Sequence, residues 1–465
     1  MLSQKKLFLI VICFFTADCL AQSPKSKELS AELPKILKKN KISANEMAIQ
    51  INLDQDILFA NESEKVLIPA SISKLFTAYS LLSRLGPTFR LNTELYFDGT
   101  NLYFKGAGDP GFVSESMWFL VNEFTRQNIK TIPGDIIVDD TLFDQVRFDP
   151  TRESVRVDRA YDSPVGAASF NWNAVNIFVK PSEKTGEAAL ISLDPENLYF
   201  RLVNQTKTVS KVKQELIIDV NQDSRIITVK GDVAAHQSEK PYYKNVADPT
   251  IWVAENLKSF LQQRGITQNG KLKSGAVAAS AHKVASFESK SLASMVMDMN
   301  KFSNNFVAEM LTKILAANQK KAKSNLFTID DGMKFISDDI KRLTKSKSLP
   351  IIENPSGFSR NNKVTAAAMN DLLLTAKQDF KIFPSFLESL PVAGLDGTMK
   401  RRMKGLNGEG LVRAKTGLLN GVVALAVYVG SQDGKIYLFT FLYNGPQDGE
   451  IVRDAVDQMI EVLLK

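Results

Sequence analysis

Pro69-Ala70-Ser71-Ile72-Ser73-Lys74-Leu75 opens a stretch whose apolar residues, Ile72, Leu75, Phe76, Tyr79, Leu81 and Leu82, recur at helical spacing until Gly86-Pro87 closes it. The pattern predicts a helix with Ser71 in its first turn. A backbone N–H there is free to face an oxyanion, and Lys74, three residues on, shares its face at roughly 5–6 Å between Cβ atoms. A desolvated lysine beside other cations loses its proton more easily and can then take one from a serine. The chain has only two histidines, His236 and His282, so a serine nucleophile here needs a base other than imidazole. An N-capping serine followed by a solvated lysine is the plainer reading of the same residues.

Ser-x-x-Lys alone selects nothing, since Ser3 with Lys6, Ser210 with Lys213 and Ser280 with Lys283 share it. Two further strings follow in order: Ser303-Asn304-Asn305, opening the helical pattern Phe306, Val307, Met310, Leu311, Ile314, Leu315, and Lys415-Thr416-Gly417, running into the apolar stretch Leu418 to Leu425. Each has decoys as well, at Ser169-Phe170-Asn171, Ser359-Arg360-Asn361 and Lys184-Thr185-Gly186. Placement separates them. Ser303 and Asn305 stand at the end of a rigid element, whereas Lys184 lies in a polar turn. Lys415 and Thr416 stand on a sheet edge that Gly417 keeps bare for an extended substrate. This ordered trio resembles the arrangement of active-site serine penicillin-recognising enzymes.

Outside the trio, Gly106-Ala107-Gly108-Asp109-Pro110, Ser303 to Glu309, Ser356-Gly357-Phe358-Ser359-Arg360, Leu390 to Thr398 and Ala414 to Gly417 give the chain a wider likeness. It resembles the class C low-molecular-mass penicillin-binding proteins, the D-alanyl-D-alanine carboxypeptidase and endopeptidase family. The resemblance implies a β-lactamase/transpeptidase-like fold with accessory domains inserted between the first two motifs. It also implies a Ser71 acyl-enzyme, Lys74 as general base, Ser303 as proton relay assisted by Lys74 and Lys415, and Asn305 as a holder of the substrate amide. Lys415 and Thr416 would bind the terminal carboxylate, and the N–H groups of Ser71 and Leu418 would form the oxyanion hole. Arg360 would help recognise a peptide carboxylate, with a structural ion pair as its alternative. Two departures stand out. Leu418 has no hydroxyl where the family often has Ser or Thr, which weakens the carboxylate grip. Asn171 stands where some members carry an acidic residue for side-chain recognition.

At 465 residues the chain exceeds one ordinary hydrophobic core. Lys5-Lys6, an apolar run from Leu7 to Phe15 and Cys19-Leu20-Ala21 read as a secretory signal peptide cleaved after Ala21, giving an exported, periplasmic protein. A lipoprotein reading through Cys19 is disfavoured by Asp18. Both cysteines, Cys13 and Cys19, leave with that segment, so neither thiolate chemistry nor cysteine-bound metal is expected, and the histidines have no metal-ligand spacing. No cofactor is implied. Of 58 basic and 51 acidic residues, loss of Lys5, Lys6 and Asp18 leaves 56 and 50, net +6. That excess suits polyanionic envelope material and gives no specific support for nucleic-acid binding.

Strand signals at 47–53, 57–59, 421–430 and 435–442, with helices at 72–82, from Leu292 onward and at 454–464, predict a three-layer α/β/α sandwich. From about residue 91 the character changes, with strands at 91–97, 102–104, 136–138 and near Val277 and helices at 115–124 and 249–264. A polar, β-rich stretch occupies 181–235. The expected division is residues 22–90 with 282–465 as the catalytic domain, 91–180 with 247–281 as an inserted domain, and 181–246 as a small β domain. The terminal helix is expected to pack on the sheet, leaving at most peripheral membrane association. The function expected is a serine DD-carboxypeptidase or endopeptidase acting on peptidoglycan stem peptides and acylated by β-lactams. A β-lactamase of the same fold and a non-catalytic peptidoglycan-binding module are the alternatives.

Overall fold

The computed structural model describes residues 23–155, 160–197, 199–319, 326–405 and 407–465. The expected signal peptide, residues 1–21, lies outside the described residues.

The apolar runs near the C-terminus build the middle of an antiparallel sheet. Its strand order is Val412–Leu419, Val422–Gly430, Ile436–Asn444, Met47–Leu53 and Asp56–Asn61, with Gly417 opposite Ala424 and Ile49 opposite Phe441. Val422–Gly430 and Ile436–Asn444 are apolar on nearly every residue because helices cover both faces. On one face the helices Pro24–Lys39 and Gly449–Leu464 press Leu33, Val456 and Ile460 against Leu425, Phe439 and Phe441. On the other, Lys74–Leu85, Asn305–Gln319 and Ala366–Gln378 bring Leu75, Leu311 and Leu373 to Ala424, Ala426 and Leu442. This is the expected three-layer sandwich. The terminal helix spends its apolar side on the sheet, and among the described residues no helix is long and apolar enough to cross a membrane.

Between the first two motifs lies a second core. A five-stranded sheet runs in the order Leu272–Ser274, Ile136–Asp139, Leu102–Lys105, Asn92–Phe97 and His282–Glu288. The helices Ser114–Thr125 and Pro249–Gln263 contribute Leu120, Phe124, Trp252 and Leu257 to the core it shares. Two three-stranded sheets follow: Lys240–Asn245, Ala174–Lys180 and Leu190–Asp194, then Ile217–Asn221, Ile226–Ala234 and Arg201–Val209. At the root of the insert, Ser289 N donates to Leu91 O at 2.8 Å and Leu91 N to Ser289 Oγ at 2.9 Å.

Three expectations shift. The strand placed near Val277 is absent there; Leu272–Ser274 ends before it and His282–Glu288 begins after it. The boundary at 281/282 falls one strand early, because His282–Glu288 pairs with Asn92–Phe97. The boundary at 180/181 falls one strand late, because Ala174–Lys180 pairs with Lys240–Asn245 and Leu190–Asp194. Partner strands, rather than local composition, decide which sheet a strand joins.

Candidate active site

Ser71 lies in the 3₁₀ turn Ala70–Ser73, which runs directly into the helix beginning at Lys74. The residue before it, Ala70, is held at φ +48°. A side chain in this left-handed region costs about 1–2 kcal/mol, and such strain persists only where surrounding structure imposes it. What imposes it is the loop Asn354–Phe358. Asn354 Oδ1 accepts from Ser356 N at 3.0 Å, Phe358 N at 3.2 Å and Ser356 Oγ at 2.6 Å, which coils the loop tightly. Gly357, at φ +75°, passes so close to Ala70 that a Cβ would stand 2.0 Å from its carbonyl oxygen. The loop thereby brings the Ser356 carbonyl within 3.4 Å of Ser71 Oγ.

Lys74 is fully buried and turns its Nζ to three oxygens: Ser71 Oγ at 3.2 Å, Asn305 Oδ1 at 2.6 Å and the Ser356 carbonyl. Burial pushes its pKa well below the ordinary lysine value, and the charge of Lys415 pushes the same way, while Asp162 and Glu309 oppose them. A neutral amine keeps two donors and gains a lone pair, so Lys74 could hold Asn305 and Ser356 while accepting the Ser71 proton. Burial also lowers Lys415, to about 7. Its Nζ donates to Ser303 Oγ and to the Thr416 carbonyl, each at 2.9 Å.

Ser303 sits in a turn at φ +53°, and the helix proper begins at Asn305. Asn305 is oriented from both ends, since its Nδ2 donates to Asp162 Oδ1 at 2.6 Å. Deeper in the same helix, Glu309 accepts from Arg152 Nε at 2.7 Å and Nη2 at 2.8 Å, a fully buried bidentate pair. Arg152 also donates to the Asp162 carbonyl at 3.0 Å.

The third string lies on the outer strand of the sheet. Pro391–Ala393 occupies the first half of that edge, with Ala393 N donating to Val412 O at 3.0 Å and Ala414 N to Pro391 O at 2.9 Å. The second half borders a cleft of about 430 Å³ lined by Ser71, Ser303, Asn305, Thr416, Gly417 and Leu418, among others. Gly417 is needed for a reason beyond a bare edge: a Cβ there would stand 2.6 Å from the Pro69 carbonyl. Thr416 Oγ1 meets Thr398 Oγ1 at 2.9 Å, and Arg402 and Arg453 also line the cleft.

The structure thus brings together Ser71, Lys74, Ser303, Asn305, Lys415, Thr416, Gly417 and Leu418. Arg360 does not line this cleft; its Nε pairs with Glu153 Oε1 at 2.7 Å and its Nη2 donates to the Asn420 carbonyl at 2.9 Å. Asn171 also lies elsewhere, bonded to Ser114. The second Lys-Thr-Gly is remote, with Lys184 solvent-exposed and 3.9 Å from Glu187. Sequence reasoning missed Asp162 and Arg152, which no motif marks. It also passed over Ser356, Glu309 and Thr398, although each stood inside a stretch that carried the family likeness.

The profile of the D-Ala-D-Ala carboxypeptidase 3 (S13) family matches residues 29–465. The D-alanyl-D-alanine carboxypeptidase of Actinomadura sp. (strain R39) is 30% identical over 411 residues, covering 83% of this chain and 75% of its own. The D-alanyl-D-alanine carboxypeptidase DacB of Haemophilus influenzae is 27% identical over 422 residues, covering 87% and 86%. The crystal structure of penicillin binding protein 4 (dacB) from Haemophilus influenzae shares the fold, with a TM-score of 0.76 at 23% identity over 93% of this chain and 98% of that one. The chain therefore belongs to the D-Ala-D-Ala carboxypeptidase 3 (S13) family of serine peptidases.

Proposed function

We propose that the protein is an exported D-alanyl-D-alanine carboxypeptidase and endopeptidase that cleaves peptidoglycan stem peptides and is acylated by β-lactams. The observation that carries this reading is the Ser71–Lys74 pair, 3.2 Å apart, with the lysine buried and its pKa depressed. Neutral Lys74 takes the Ser71 proton as Oγ attacks the carbonyl between the two terminal D-alanines. Negative charge gathers on that carbonyl oxygen, where the N–H groups of Ser71 and Leu418 would receive it. As the C–N bond breaks, Ser303 passes a proton to the departing amine and is reprotonated from Lys74 or Lys415. Water then adds to the Ser71 ester, which frees the shortened peptide and restores the hydroxyl.

Asn305 would hold the substrate amide, and Lys415 with Thr416 the terminal carboxylate. Arg360, engaged by Glu153, would meet a peptide carboxylate only at the rim of the 419–422 hairpin. We further propose a functional division into a catalytic unit of residues 22–90 and 289–465 and an insert from 91 to 288. The leader at residues 1–21 would direct export to the periplasm, with at most peripheral contact to the membrane.

Incubating the purified protein with defined muropeptides and measuring product masses tests the reading. The expected products lack one alanine residue or are cleaved at the cross-link. Rapid nitrocefin turnover with every muropeptide left intact would make it a β-lactamase instead. Muropeptide binding without penicillin labelling of Ser71 would make it a non-catalytic module.

A further inference from the structure

Two of the chain's three tryptophans, Trp118 and Trp172, are solvent-exposed, whereas Trp252 is buried in the core of the insert. Both line a cavity of about 1120 Å³ that shares Trp172, Asn176, Lys290 and Asp298 with a neighbouring cavity of about 690 Å³. That second cavity is walled by Tyr243 and shares Tyr161 and Phe302 with the catalytic cleft. One groove therefore leads from Ser303 across Phe302 to Trp172 and on to Trp118.

The backbone beneath Trp172 is unusual. Asn171, Trp172 and Asn173 stand at φ +47°, +55° and +51°, three consecutive left-handed residues that all carry side chains. Hydrogen bonds hold them there: Asn171 Oδ1 accepts from Ser114 N and its Nδ2 donates to Ser114 Oγ, each at 3.0 Å, while Asn173 Nδ2 reaches the Pro164 carbonyl and Ser169 Oγ, each at 2.9 Å. Asn adopts the left-handed region readily, so the strain, about 1–2 kcal/mol, falls chiefly on Trp172, and strain of this kind gathers at ligand clamps. Its visible result is an indole ring turned outward in the middle of the groove.

We propose that this groove binds the glycan strand of peptidoglycan, an alternating chain of N-acetylated amino sugars, while a stem peptide attached to it occupies the catalytic cleft. The proposal rests on the function proposed above and adds a site remote from Ser71. Its chemistry fits. Flat aromatic rings at Trp118, Trp172 and Tyr243 offer faces to the C–H side of a pyranose, and amides at Asn171, Asn176 and Asn304 match acetamido groups. Lys290 and Asp298 set opposite charges side by side, which suits a neutral polar ligand better than a polyanion. Continuity with the cleft lets one bound glycan raise the local concentration of its own stem peptides at Ser71.

Calorimetric titration of Ser71→Ala protein with neutral oligomers of β-1,4-linked N-acetylglucosamine, which keep the pyranose faces and acetamido groups of the glycan, tests this, with Trp172→Ala and, separately, Tyr243→Ala added to the same background. Saturable binding that weakens at least tenfold in either double variant supports the proposal. No saturable binding, or equal binding by all three proteins, overturns it. Trp172-dependent binding of a sugar-free cross-linked peptide in place of the glycan also overturns it, because the occupant is then peptide. If Trp172→Ala alters the fold, as seen in its thermal melt, the Tyr243→Ala comparison decides. Unmodified Ser71 after treatment of wild type with labelled penicillin would sink the functional reading without bearing on this titration.

Discussion

Asn305 joins Lys74 to Asp162: its Oδ1 accepts from Lys74 Nζ and its Nδ2 donates to Asp162 Oδ1, both at 2.6 Å. Lys74 thus sits between two charges of opposite sign, Lys415 lowering its pKa and Asp162 raising it. The rate of penicillin acylation should climb as pH rises through the Lys74 pKa, since only the neutral amine can accept the Ser71 proton. Lys415→Met removes the lowering charge, so the climb should move to higher pH. Asp162→Asn removes the raising charge and should move it to lower pH. Acylation rates with fluorescent penicillin across the pH range check both, and shifts in the same direction would refute the arrangement.

Lys415 should also show in stability. Burial holds its folded pKa at about 7, below the 10.5 of an exposed lysine. Between those values the unfolded chain binds more protons than the folded one, so stability rises with pH through that window and the full penalty applies below about 7. Lys415→Met should therefore raise the melting temperature by a few degrees, with roughly this size following from the usual link between stability and Tm. The gain should be larger at pH 6 than at pH 10. Melting curves of both proteins at the two pH values decide it.

Gly357→Ala should be among the most damaging single changes in the molecule. The added Cβ meets backbone 2.0 Å away and sits at φ +75°, where an L side chain is strained. A loss of about 3 kcal/mol or more is expected. Because the same loop carries the Ser356 carbonyl, acylation should slow at least tenfold even in the fraction that stays folded. Denaturant melts together with acylation of the folded fraction separate the two effects.

Leu418→Thr should improve the grip on a terminal carboxylate by returning a hydroxyl beside Thr416. The expected result is a lower KM for peptides ending in D-alanyl-D-alanine, with kcat little changed. Arg453→Ala, in the lining of the same cleft, should raise that KM. Steady-state kinetics on a pentapeptide substrate test both, and a KM unmoved by either change would remove both positions from carboxylate recognition.

Ser71→Ala should abolish penicillin labelling, while Lys184→Ala should leave it intact. Lys184 carries the same tripeptide as Lys415 but is exposed on the insert. A gel of labelled protein distinguishes them.

The sandwich and the eight residues brought together at the cleft were legible because each string lies at a place that periodicity can mark: the start of a helix or an apolar edge strand. Asp162 and Arg152 were not legible. Arg152 sits in irregular chain of the insert and Asp162 in a single 3₁₀ turn, and each reaches Asn305 or Glu309 only through tertiary contact, so nothing near it in sequence announces a role. The boundary at His282 failed for a related reason, since a strand's partner lies far away along the chain. Arg360 shows a different limit: its stretch carries the family likeness, but only the fold shows that its side chain pairs with Glu153, the alternative left open by the sequence.

The root of the insert invites excision. Leu91 and Ser289 are hydrogen-bonded neighbours, so a short turn could join them and discard everything between. The sandwich left behind would keep Ser71, Lys74, Ser303, Asn305 and Lys415, yet it would lose Asp162 and Arg152. Asn305 would then be held only by Lys74, and Glu309 would be a buried carboxylate without its counterion, a defect of about 3–5 kcal/mol. The insert is therefore not a detachable module, and a minimal version of this enzyme cannot be cut at its most convenient seam.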